Sequence, residues 1–315
     1  MSAQAAAPAH PSSTPSKKVN AAKLYVRGSV SNGMGLAILY CLSHYLGLQR
    51  YVLIAGGIQL FVFIIHGLPY RSEKFYDLSG SFTHLSVVTA SLIFDERKRS
   101  PRQIFAAISA VVWMSRLGTF LYARILRDGR DARFDGIKPV CLSFMGAWTI
   151  QAVWVSLIEL PVVLLNDRDD NLGLGLTDLV AMGLWIVGFL LEAAADSQKM
   201  AFRDKPENKG RWIRSGLWRY SRHPNYFGEM LMWSSLAFLA SSSTGFTIST
   251  KEAAVMHFAW LSPLFTAFLL LLVTGVPAVE KAGFKKWGSE PEYMNYMKNT
   301  SCLLPWFPAP EMKED

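Results

Sequence analysis

Apolar residues along this chain fall in runs long enough to cross a bilayer, separated by short stretches dense in charge. The runs cover about 33–48, 51–68, 79–94, 103–123, 140–165, 172–195, 226–245 and 254–277. A span needs about 20 residues at ~1.5 Å rise each. The pattern therefore predicts an all-α fold, a multi-spanning transmembrane helical bundle of six to eight helices. The 79–94 run is short and carries His84, and the basic stretch Asp95 to Arg102 beyond it spoils a strict alternation of loop charge. This run is the one expected to fall short of a full span.

Four segments follow from the same pattern. Residues 1–22, rich in Ala, Pro and Ser, read as a disordered tail that cannot bury enough apolar surface to offset its ordering entropy. Residues 23–195 hold the N-terminal transmembrane helices, 196–308 a polar-to-apolar C-terminal region, and 309–315 a short tail.

Composition sharpens the picture. The chain has 315 residues, 51% hydrophobic and only 18% charged, against roughly 25% charged in soluble domains. The net charge of +8 sits in loops beside apolar runs, which fits a lipid bilayer as partner and argues against nucleic acid. Residues 196–222 hold Lys199, Arg203, Lys205, Lys209, Arg211, Arg214, Arg219 and Arg222 against three acids, and the C-terminal part adds Lys281, Lys285, Lys286 and Lys298. Both segments are expected in the cytosol, with the acidic 166–170 loop on the other side. Cys41, Cys141 and Cys302 show no metal or disulfide spacing, so no metal site is predicted. His44, His66, His84 and His257 read as packed, hydrogen-bonded histidines. Gly183 and Gly188 read as points of close helix approach.

Chemistry concentrates in 192–229, EAAADSQKMAFRDKPENKGRWIRSGLWRYSRHPNYFGE, where charged and aromatic residues stand directly against two spans. Ionisable groups there are costly when dry. Pro224 ends a loop, Asn225 is the expected helix cap, and Glu229 sits one turn in.

This stretch resembles the C-terminal domain of the steroid 5α-reductase family, most closely its DUF1295 subgroup. The resemblance rests on GLWRYSRHPNYFGE (Gly216 to Glu229) with Trp233, on EAAADSQK…FR, on Trp287 to Pro308 with its LLPWFP, and on RLGTFLYARILRDGRDARFD (Arg116 to Asp135). It covers roughly residues 70–308. It implies a membrane oxidoreductase that binds NADPH from the cytosolic side and saturates a carbon–carbon double bond of a lipophilic, steroid- or lipid-like small molecule. Carried over by position, it implies Asp196, Arg203, Arg211, His223, Asn225, Tyr226 and Glu229 as cofactor-binding residues. Arginine is the fork donor suited to phosphate, and Asn and Glu can bond an amide or a ribose. The sequence departs from the family at Glu192, where an Asn is usual, and at Glu280 and Phe284, where a His and a Tyr are usual. Residues of the right type for polarising a substrate carbonyl are Tyr70, Tyr76 and Asp77, with Glu73 beside them. No Gly-rich dinucleotide fingerprint is present. The alternatives are a membrane methyltransferase of isoprenylcysteine or phospholipid type, which has a similar R-H-P-x-Y segment and uses S-adenosylmethionine, and a non-enzymatic membrane protein. The endoplasmic reticulum is the expected location, and the sequence leaves the oligomeric state and the substrate open.

Overall fold

The computed structural model describes residues 20–94, 98–131, 133–169, 173–246 and 249–307. Of the expected tails, residues 1–19 and 309–315 lie outside the described residues. The helices are α1 (Ala21–Leu46), α2 (Gln49–Val62), α3 (Leu68–Tyr70), α4 (Tyr76–Ile93), α5 (Pro101–Asp128), α6 (Cys141–Ile158) and α7 (Leu160–Asn166). They continue as α8 (Leu176–Asp204), α9 (Pro224–Ser242), α10 (Lys251–Met256), α11 (Leu261–Phe268), α12 (Val276–Trp287) and α13 (Pro291–Asn299). No strand occurs among the described residues.

Local signals set the ends. Asn20 accepts from the backbone N–H of Lys23 and opens α1. Ser100 and Gln103 cap each other's backbone at the start of α5, with Pro101 in the first turn, and Gly129 closes it at φ +72°. The fifth apolar run breaks at Glu159, because Pro161 lacks the N–H that would continue α6. The charged stretch expected to be loop from residue 196 is helical to Asp204, so α8 runs unbroken through the 195/196 boundary.

Among the described residues, five segments are long and apolar enough to cross a membrane: Gln49–Tyr70, Pro101–Asp128, Cys141–Ile158, Leu176–Asp204 and Lys251–Trp287. Helices α1, α4 and α9 have 26, 18 and 19 residues but are more polar. The distribution of side chains is the reverse of a soluble protein's. On α8 the inward residues include Gly188, Glu192 and Ala195, while Leu176, Leu179 and Leu190 face outward. Apolar side chains cover the outside because lipid, not water, surrounds them.

Contacts fix the direction of each helix. Helices α1 and α6 run parallel, with Ser143 Oγ donating to the Leu24 carbonyl and Asn32 Nδ2 to the Leu142 carbonyl. Helices α5 and α8 also run parallel, since Arg102 meets Asp178 and Arg116 meets Glu192 at equal separation on both. Helix α9 is antiparallel to α8, pairing Ser242 with Asp178 and Asn225 with Asp196.

The 79–94 run behaves as expected in one respect, since α4 is not among the segments apolar enough to cross a membrane. Helix α4 runs the depth of the bundle, from Asp77, bound to Arg124, to Ser91, bound by Asn166. Two arginines of the basic stretch after it, Arg99 and Arg102, are consumed internally. Arg99 donates to the Leu92 and Asn166 carbonyls, and Arg102 pairs with Asp178.

Helices α8 and α9 touch through glycines. A Cβ at Gly228 would stand 2.6 Å from the Gly188 carbonyl oxygen and 2.7 Å from the Glu192 nitrogen, both backbone atoms that cannot swing away. Gly183 faces open space instead, which limits the close-approach role expected of it to Gly188. Gly228→Ala should therefore cost about 1–3 kcal/mol through overpacking, whereas Gly183→Ala should stay within about 0.5 kcal/mol. Thermal unfolding of both variants in one detergent checks this; equal midpoints would remove the glycine contact as a determinant.

Candidate functional site

The helical period puts Glu192, Asp196, Lys199 and Arg203 on one stripe of α8. The first two meet the bundle, and the last two reach past it. At the inner end, Arg116 Nη1 donates to Glu192 Oε1 at 2.6 Å and Nη2 to Asp196 Oδ2. Asn225 Nδ2 donates to Asp196 Oδ1 at 3.1 Å. Glu229 lies within electrostatic reach of Arg116, Glu192 and Asp196. Two buried acceptors in this network, Glu192 Oε2 and Asn225 Oδ1, make no hydrogen bond among the described residues; the Trp113 indole stands beside Glu192, so Asn225 Oδ1 is the acceptor with no donor at hand. Buried polar atoms are normally satisfied, so the network is built with room for one more group.

Asn225 is not the helix cap expected of it. Helix α9 starts at Pro224 with His223 as the capping residue. Proline needs no N–H there, and this frees the Asn225 side chain to cross to α8. Tyr226 stacks on His223 at 5.1 Å between ring centroids and 1° between planes.

Outward from this network the loop 205–223 folds back over α8. Trp218 Nε1 donates to the Ala195 carbonyl at 3.0 Å, and the Leu217 N–H to Gln198 Oε1 at 2.8 Å. Gly216 turns the chain there at φ +62°, where a Cβ would meet Gln198 at 2.4 Å. The segment Ser301–Trp306 lies alongside, the Arg222 N–H donating to the Ser301 carbonyl and the Trp306 N–H to that of Tyr220. Between loop, α12 and α13 remains a narrow, open cleft of about 130 Å³. Lys199, Arg203, Arg211, Arg222 and His223 line it, with Trp212, Trp287, Tyr293 and Tyr296 as aromatic walls.

Its charges are not equivalent. Arg222 is committed, binding Glu280 at 3.0 Å and the Met297 and Thr300 carbonyls at 2.7 and 2.8 Å. Lys199 lies over the Trp218 ring at 4.6 Å. Lys199, Arg203 and Arg211 have no carboxylate partner among the described residues. Burial pushes the His223 imidazole below its ordinary range, and the Glu280 carboxylate at 3.2 Å only partly opposes this. Glu280, where the family resemblance implies a histidine, holds both Arg222 and His223, while Phe284 packs edge-on against Tyr293.

Of the expected cofactor residues, Arg203, Arg211 and His223 line the cleft, while Asp196, Asn225, Tyr226 and Glu229 belong to the network or border it. The expected catalytic residues lie elsewhere. Tyr70 is 71% exposed beside His66. The Tyr76 hydroxyl donates to the Ala147 carbonyl at 3.1 Å, and Asp77 is held by Arg124 at 3.1 Å. Glu73 accepts from the Asp131 N–H at 2.7 Å and pairs with Lys138; burial raises its acidity threshold, but these donors outweigh it and hold the carboxyl below its usual range. This second cluster sits about 12 Å along α5 from Arg116, as eight residues at 1.5 Å each require. A largely apolar groove between α1, α2 and α6, of about 580 Å³, is lined by none of these residues.

Arg116 and Lys199 were not singled out as site residues by sequence reasoning. The signal for Arg116 was present, a lone arginine in the middle of an apolar run. The aromatic walls on α13 carried no such signal.

A 93-residue segment is 31% identical to 3-oxo-5-alpha-steroid 4-dehydrogenase 1 of Rattus norvegicus, covering 28% of this chain and 36% of that protein. The match thus spans about a third of the relative's length. No solved structure matches. The family described as Protein of unknown function (DUF1295) matches residues 62–300, from the end of α2 to the end of α13, and includes the network and the cleft. The chain is a steroid 5α-reductase-like member of the DUF1295 family.

Proposed function

We propose that this protein is a membrane reductase that binds NADPH in the cleft and saturates a carbon–carbon double bond of a lipophilic molecule. The observation that carries this reading is charge. Three cations without carboxylate partners among the described residues, Lys199, Arg203 and Arg211, converge on an aromatic-walled cleft, and one turn inward along α8 from Lys199 lies a polar network with two unpartnered acceptors. Unneutralised guanidinium groups fit a phosphate-bearing ligand. They suit a cationic sulfonium donor less well, which favours the reductase reading over the methyltransferase one.

In this reading Arg203 and Arg211 hold phosphate at the outer end. Asn225 Oδ1 accepts from the carboxamide at the inner end, with Asp196 and Arg116 fixing its orientation, and Tyr226, His223 and Glu229 border the ring. NADPH, when bound, supplies the hydride. The protein positions it and excludes water. Tyr70, Tyr76 and Asp77 are the candidates for binding the substrate's oxygen and stabilising the charge that develops there. Their distance from Arg116 is one that a fused-ring or chain molecule spans. Lysine and arginine crowd the cleft end of the bundle, which supports a cytosolic position for that end in this reading, with the substrate arriving through the lipid.

Equilibrium binding to the purified protein in detergent tests the reading. NADPH should bind, and Arg203→Ala should weaken it roughly 10- to 100-fold, the loss of one or two charge-assisted bonds worth about 1.5–3 kcal/mol. NADH, without the 2′-phosphate, should change far less. Binding of S-adenosylmethionine with no NADPH signal would overturn the proposal.

A further inference from the structure

His223, Glu280 and Cys302 come from three separate parts of the chain, yet their ligand atoms all lie within 4.8 Å of one another. Sequence spacing gave no hint of this, because 57 residues separate His223 from Glu280. The backbone brings them together without help from the side chains concerned. Ser221 Oγ donates to the Leu303 carbonyl at 2.7 Å, the Arg222 N–H to the Ser301 carbonyl at 2.8 Å, and the His223 N–H to Ser221 Oγ at 3.1 Å. The two strips of chain that carry His223 and Cys302 are therefore pinned side by side. Helix α12 then presents Glu280 across the gap.

The donor set is one imidazole, one carboxylate and one thiol, and Cys302 is a free cysteine. Such a mixed set suits a borderline-soft divalent cation and not magnesium or calcium, which take oxygen ligands. Zinc bonds of about 2.0–2.3 Å at tetrahedral angles place donors about 3.5 Å apart. The observed spacing closes to that by movements of about an ångström. Glu280 uses Oε1 for both Arg222 and His223, and its Oε2 has no hydrogen-bond partner among the described residues. One oxygen held by an outer donor with the other turned to the metal is the usual arrangement of a ligating carboxylate. The His223 side chain is 4% exposed and Glu280 21%, so the site is shielded but reachable from the cleft.

We propose that His223, Glu280 and Cys302 form a three-ligand site for zinc or a similar transition-metal ion at the wall of the cleft. The ion replaces the His223–Glu280 hydrogen bond with bonds to both, and Cys302 loses its thiol proton to solvent as the metal–sulfur bond forms. A fourth position faces the cleft, open to water or to an anionic ligand there. Arg222 stays on its backbone carbonyls and Glu280 Oε1, and its positive charge sets a limit on affinity. The proposal stands whether or not the cleft takes a nucleotide, because it rests on the three donors alone.

Cobalt(II) titration of the purified full-length protein in detergent provides the test, read as the near-ultraviolet charge-transfer band that only thiolate-bound cobalt gives. One cobalt per chain with that band is expected, and zinc should displace it. Cys302→Ser should abolish the band, and Glu280→Gln should weaken binding while leaving the band at saturation. Removing the exposed Cys41 and Cys141 together should leave it intact. A band that survives Cys302→Ser, or disappears with Cys41 and Cys141, overturns the assignment; so does the lack of any band in wild-type protein whose thermal midpoint shows it folded. Size-exclusion profiles of each variant separate loss of a ligand from loss of the fold.

Discussion

Arg102→Met is expected to cost about 3–5 kcal/mol of stability, the loss associated with removing one partner of a buried ion pair. Arg102 and Asp178 are each 2% exposed. The guanidinium binds the carboxylate through Nε at 2.9 Å and Nη2 at 2.6 Å, and Nη2 also reaches the Gly173 carbonyl. Asp178 additionally accepts from the Gly175 N–H and from Ser242 Oγ, which ties the start of α8 to the end of α9. Methionine fills the space of the arginine stem but leaves Asp178 a buried charge without its counterion. The double variant Arg102→Met with Asp178→Leu should recover most of the loss, because two apolar residues remove the desolvation cost of both ions. Thermal or denaturant unfolding in detergent reads all three variants. A single variant within about 1 kcal/mol of wild type would show that the pair is not a determinant of the fold.

Arg102–Asp178 is the far-end counterpart of Arg116–Glu192 on the same two parallel helices. The difference between them separates structure from site. The Asp178 oxygens are bound by Arg102, a backbone amide and a hydroxyl. At the other pair, Glu192 Oε2 and Asn225 Oδ1 are buried and unpartnered. A fully satisfied network rigidifies, and a partly satisfied one costs free energy unless a ligand completes it.

Much of this was legible in the residues themselves. Runs of apolar residues marked the helices because the bilayer demands internal satisfaction of every backbone group. The stripe Asp196 to Arg203 was legible because seven residues are close to two helical turns. What the sequence concealed was assembly across distance. Glu280 and Cys302 join His223 only because the C-terminal strip folds back on the loop before α9. Trp212 and Tyr293 form one wall of the cleft from opposite sides of α12, and no local period links them. The internal use of the basic stretch after α4 was hidden for a related reason. A charge count assumes solvated side chains, and Arg99 and Arg102 are spent inside the protein.

Arg116→Met is expected to act on ligand binding as well as on the fold. Arg116 is 24% and Asp196 38% exposed, but Glu192 is only 6% exposed, so the variant also strands one buried carboxylate and lowers the unfolding midpoint. Its two nitrogens bridge Glu192 and Asp196, and Asp196 in turn orients Asn225. Without the bridge, three carboxylates, Glu192, Asp196 and Glu229, face one another with no shared cation, and Asn225 loses its anchor. Under the nucleotide reading, NADPH affinity should fall on the order of 100-fold, about 2.8 kcal/mol at 1.4 kcal/mol per tenfold. Arg116→Lys should restore only part of this, because an ammonium is a point charge and cannot span two carboxylates as a planar fork does. A merely structural arginine would behave differently: affinity per folded molecule would match wild type in both variants, and only the unfolding midpoint would move. Unchanged NADPH binding by folded Arg116→Met would detach the buried network from the cleft and leave the phosphate-facing cations to act alone.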